Sequence, residues 1–92
     1  MRYELDVKVS GGKLIRVRID ADGGRASRVA VDGDFFAHPE ELFEEAEAEL
    51  SGIGLAELGE EARRAFSRPG LVIFGAGAED IAGALEGAVR GH

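Results

Sequence analysis

The chain has 92 residues, of which 45% are hydrophobic and 32% charged, and its formal net charge is −7. This length predicts one domain, residues 1–92, with one small core. The lack of cysteine excludes disulfides, thiolate metal sites and cysteine nucleophiles, and the acidity argues against nucleic acids or anionic membranes as general partners.

The first third of the chain predicts three antiparallel strands. Polar and apolar residues alternate from Tyr3 to Val9, and the alternation resumes over residues 13–20 after a Gly-Gly turn. A second Gly-Gly turn precedes a third alternating run at residues 27–31. The pattern indicates a meander with one face in water. That outer face is expected to gather Lys8, Arg16, Arg18 and Arg28.

The link at residues 31–41, VDGDFFAHPEE, joins the strands to the first helix. Successive side chains of an extended segment point to opposite sides, so one core holds only one of the two adjacent Phe side chains comfortably. We expect one Phe to anchor the sheet to the first helix and the other to lie near the surface. Gly33 is expected to take a backbone conformation that other residues resist, and Pro39 to start the helix.

Three helices are predicted after this link, over residues 39–51, 55–66 and 78–90. Between the last two, residues 71–74 form a short apolar run, which is either a buried strand or an extended connector. Strands followed by helices indicate an α+β, two-layer fold: an antiparallel three-stranded meander covered on one face by about three helices.

No catalytic apparatus is visible in the sequence. Residues 74–80 imitate a dinucleotide-binding turn, but Asp80 stands where the third glycine should be, and no strand follows. The glutamates of the first helix are more simply explained as a solvated face. A stand-alone hydrolase that uses these carboxylates would require a cleft holding Glu44 and Glu47. A binding or accessory role follows by elimination, in a chain without a signal peptide or membrane span and therefore expected in the cytoplasm.

Three stretches together resemble one family. They are residues 12–17, GKLIRV; residues 29–41, VAVDGDFFAHPEE; and residues 77–82, GAEDIA. In order and spacing they are similar to the C-terminal accessory domain of lipoate–protein ligases. The most specific element is Gly-Asp-Phe-Phe, followed by Pro-Glu-Glu and a helix that ends in Leu-Ser-Gly at residues 50–52.

The resemblance implies a non-catalytic subunit of an ATP-dependent ligase. In that family the large domain binds ATP, lipoate and Mg²⁺, forms lipoyl-adenylate and passes the lipoyl group to a lysine of an acceptor protein. The small domain supports adenylation and in bipartite ligases is a separate chain. The chain would then bind no cofactor itself and would form a heterodimer with the catalytic subunit. The residues expected to contact this partner are Gly33, Asp34, Phe35, Phe36, Lys13, Arg16, Arg18 and Arg28. The alternative is an adaptor protein unrelated to lipoylation.

Overall fold

The computed structural model describes residues 1–91 and contains two sheets. Strands β1 (Arg2–Lys8), β2 (Leu14–Asp22) and β3 (Arg25–Gly33) form an antiparallel meander in the order β1-β2-β3. Strands β4 (Phe36–His38) and β5 (Val72–Phe74) pair in a separate antiparallel ribbon. The meander confirms the three predicted strands, whereas β4 was not predicted.

Three helices follow the meander. They are α1 (Glu40–Glu49), α2 (Leu58–Ala65) and α3 (Ala78–Arg90). The third has the predicted bounds, and the second is shorter than predicted because residues 55–57 form a 3-10 turn before it. Pro39 keeps an extended backbone and directly precedes α1. The α+β fold class is therefore confirmed.

The core lies between the inner face of the meander and the helices. Register determines the inner face, because the pairs Val17↔Val31 and Ile19↔Val29 place branched side chains side by side. Helix α3 packs across β1 and β2, α2 packs on α3, and α1 lies beside β3. Their buried contributions include Phe43, Ala46, Leu58, Ala62, Phe66, Ile81 and Leu85. This packing leaves the β4–β5 ribbon at the border of the core.

Candidate functional site

The two adjacent Phe side chains of the link have different environments. Phe35 packs against the core, with its ring centroid 5.7 Å from that of Phe43 on α1, which in turn lies 5.0 Å from the Phe66 ring. Phe36 is 79% exposed. The expectation of one anchoring and one surface Phe is thus confirmed, with Phe35 as the anchor.

A close backbone approach positions this link. Gly33 has φ +152°, and a Cβ atom added there would lie 2.1 Å from the carbonyl oxygen of Leu14. The next residue, Asp34, donates its backbone N–H to that oxygen at 2.8 Å and accepts the Leu14 N–H on Oδ2 at 3.3 Å. Gly33 therefore has the predicted unusual conformation, which lets the chain leave the meander.

The β4–β5 ribbon has two different faces. Ala37 pairs with Ile73, and both side chains pack against the core. The neighbouring positions point the other way, with Phe36 directly opposite Phe74 and His38 opposite Val72. Phe74 is 59% exposed and Val72 is 48% exposed, so the outer ribbon face carries three large apolar side chains in solvent. We call Phe36, Val72 and Phe74 the ribbon patch.

Residues Val72 and Phe74 were missed by reasoning from the sequence. Residues 72–74 of this run form a strand, as one of the two alternatives had it, but the strand is not buried: only Ile73 and the preceding Leu71 pack against the core. The signal was available, because four consecutive apolar residues in an extended segment place two side chains on each face. The sequence did not show that the second face stays uncovered.

The outer face of the meander is mixed in charge rather than basic. Arg16 pairs with Asp32 at 2.8 Å (Nε–Oδ1), and Arg18 pairs with Glu4 at 3.0 Å (Nε–Oε1). Arg28 lies opposite Asp20, which also pairs with Arg2. The four cations lie on the outer face as expected, but cross-strand register brings an acid beside Arg16, Arg18 and Arg28.

The expected contact residues fall into two groups. Lys13, Gly33, Asp34, Phe35 and Phe36 line one shallow concavity beside the ribbon. Arg16 lies near this concavity, because it pairs with Asp32, the residue before Gly33. Arg28 lies five residues before Gly33 on β3, about 16 Å away at roughly 3.3 Å per residue. The structure thus brings the link residues and Lys13 together but spreads the arginines along the sheet.

A second groove lies between the link and α1. Its volume is about 280 Å³, its walls include Phe35, Phe36 and Phe43, and Glu40, Glu44 and Glu47 line its α1 side. Glu47 accepts the backbone N–H of Val31 on Oε2 at 2.7 Å, and burial raises the pKa of its carboxyl group. Glu47 therefore pairs one backbone donor on the free edge of β3, a structural role that accounts for its partial burial.

Other candidates for chemistry have structural explanations. The Asp80 carboxylate accepts the Gly77 N–H at 2.9 Å, so it occupies the loop where a dinucleotide phosphate would have to bind. Within residues 1–91, no group of three or more His, Asp or Glu side chains is placed to hold a metal ion. In the same part of the chain, no helix is long and apolar enough to cross a bilayer.

Comparison with known proteins identifies the fold and then the family. A solved structure from Thermoplasma acidophilum, an archaeal lipoylation system with a bi-partite lipoate protein ligase and its E2 lipoyl domain, superposes with a TM-score of 0.78. The match has 32% sequence identity and covers 92% of this chain and 94% of that one. The fold is therefore that of a small α+β component of a lipoylation system.

The sequence comparison is more specific. Lipoate-protein ligase A subunit 2 of Thermoplasma acidophilum is 34% identical over 85 residues, which cover 92% of this chain and 88% of the relative. The chain belongs to the family of this ligase subunit. No model of a known protein family matches the sequence.

Proposed function

We propose that the chain is the accessory subunit of a bipartite lipoate–protein ligase and supports lipoate adenylation by a separate catalytic subunit. The observation that carries this proposal is the similarity to subunit 2 of such a ligase, which extends over 92% of the chain. The proposal treats residues 1–92 as one accessory domain.

The chemistry is assigned to the catalytic subunit. There lipoate attacks the α-phosphate of ATP, pyrophosphate leaves, and the resulting lipoyl-adenylate acylates an acceptor lysine with release of AMP. ATP, lipoate and Mg²⁺ are bound by that subunit in this proposal. This chain contributes by docking beside the active site and excluding water from the reactive anhydride.

The proposed contact surface is centred on the link. Phe36 supplies exposed apolar area, and Lys13 and Asp34 lie beside it. Gly33 and Phe35 hold the link in place, since one shapes the backbone and the other packs on Phe43. We assign a lesser part in this contact to Arg16, Arg18 and Arg28. Exposed ion pairs contribute little free energy, and each of these charges already has an acidic partner or lies opposite an acid.

The test is lipoate-dependent pyrophosphate release by the cognate catalytic subunit, measured with and without this chain. We expect release to be much faster with the chain present. Equal rates would contradict the accessory role. Capture of a partner other than a ligase as the main bound protein would favour the adaptor alternative.

A further inference from the structure

The ribbon patch gathers the large apolar side chains that the described part of the chain leaves most exposed, apart from Met1. Phe36, Phe74 and Val72 are 79%, 59% and 48% exposed and lie on one face of the ribbon. Directly paired aromatic side chains on a two-stranded ribbon would normally be buried by another layer. The opposite face of the ribbon is already held by the core, so the patch is presented on a fixed support.

Three other surfaces of the described residues carry ion pairs. The outer meander face has cross-strand pairs, Arg63 bridges Glu79 and Glu86 between α2 and α3, and Arg68 pairs with Glu45 and Glu49 on α1. Aromatic residues clustered within a polar surround are the side chains that dominate protein–protein binding. The ribbon patch therefore differs in kind from these three surfaces.

We propose that Val72 and Phe74, together with Phe36, form the principal docking face for the catalytic subunit. The inference rests on the proposed function and adds β5 to the contact surface. The charge of the partner surface is predicted from the acidic residues beside the patch. Glu40 and Glu44 of α1 line the same groove as Phe36. The complementary surface is an apolar depression with basic residues on the side that faces α1.

A second copy of the chain fits the patch less well. Symmetric pairing through the ribbon would bring two acidic α1 helices near one another in a protein with net charge −7. A standard interface uses roughly 20–30 residues a side, so these three side chains form only part of a contact with either partner. The patch thus suits the centre of a larger contact with a different protein.

The experiment measures the dissociation constant of the chain and its cognate catalytic subunit by titration calorimetry. Phe74→Ser and Phe36→Ser are each expected to weaken binding about tenfold or more. Arg64→Ser is the matched control, because it removes an exposed side chain from α2, outside the proposed contact surface. It is expected to change binding less than threefold, since an exposed ion pair contributes little. Unchanged circular dichroism and thermal midpoints would show that the variants fold.

Three results would overturn the inference. If wild type and Phe74→Ser bind equally while both stimulate pyrophosphate release, the docking face is wrong and the proposed function stands. If the isolated chain forms a dimer that Phe74→Ser abolishes, the patch binds a second copy. If the wild-type chain does not bind the catalytic subunit, the proposed function fails with the inference.

Discussion

A single glycine controls how the chain leaves the meander. In Gly33→Ala the new Cβ would collide with the Leu14 carbonyl oxygen, 2.1 Å away in the present backbone, at a φ of +152° that side chains disfavour. We expect a loss of about 2 kcal/mol or more in the free energy of unfolding, measured by urea denaturation.

Another glycine provides the control for this change. Gly83 lies within α3, and a Cβ atom there has no neighbour within 4 Å. Gly83→Ala is expected to stabilise the protein by about 0.5–1 kcal/mol, because alanine restricts the unfolded chain and favours helix. Equal effects of the two substitutions would show that the close approach at Gly33 does not limit stability.

Glu47 makes stability depend on pH. Burial raises the pKa of its carboxyl group above the unfolded value, so the folded state binds the proton more tightly. The stabilisation that results, measured as free energy of unfolding, is fully present below the unfolded pKa of Glu47, near 4.5. It is lost as the pH rises through the folded pKa. Glu47→Gln keeps an oxygen for the Val31 N–H without the charge. The stability of this variant relative to wild type should rise between pH 4 and pH 7 in denaturation experiments. A difference that does not change with pH would contradict this account.

For single residues, the sequence predicted backbone conformation better than the burial of side chains. The alternation of side chains along an extended segment predicted opposite sides for Phe35 and Phe36, and the tolerance of glycine for unusual φ values predicted the conformation of Gly33. Both predictions depend only on local backbone geometry. Which of the two Phe side chains is covered depends on where α1 packs, and Phe43 lies under Phe35. The partial burial of Glu47 also arises from the packing of α1 against β3, a tertiary contact that local sequence patterns do not predict.

Among the elements, α3 shows how one side chain fixes a helix start. Asp80 accepts the N–H of Gly77, the residue that precedes the helix, at 2.9 Å. Asp80→Ala leaves this donor unpaired and is expected to destabilise the protein by about 1 kcal/mol, measured by thermal or urea denaturation. Asp80→Asn keeps a side-chain oxygen and should lose less. An Asn variant as unstable as the Ala variant would indicate that the charge near the helix dipole matters more than the hydrogen bond.

Long periodic elements were predictable and very short ones were not. Helix α3 repeats its apolar stripe over 13 residues, and its bounds were predicted correctly. Strands β4 and β5 have three residues each, too few for a period to emerge, and they pair across 33 or more intervening residues. The ribbon can therefore be recognised only in the tertiary structure. Phe36 was predicted from the sequence as a contact residue, whereas Val72 and Phe74 were not.

For the molecule as a whole, charge counted along the chain was misleading. Residues 1–31 carry seven basic and four acidic groups, a balance that allows a basic sheet face. Register brings acids from neighbouring strands, including Asp32 from beyond that segment, beside the arginines. The outer meander face consequently carries cross-strand ion pairs. The exposed ribbon patch is the better candidate for the partner contact.

The most direct measurement titrates the chain into a fixed amount of its cognate catalytic subunit and follows lipoate-dependent pyrophosphate release. With the catalytic subunit held well below the dissociation constant, we expect a saturable rise in rate whose half-maximal point reports that constant. With Phe74→Ser the same plateau should be reached, but the half-maximal rate should require about tenfold more chain, because docking is weakened and the supported reaction is unchanged. A release rate that does not depend on the concentration of this chain would rule out the accessory role.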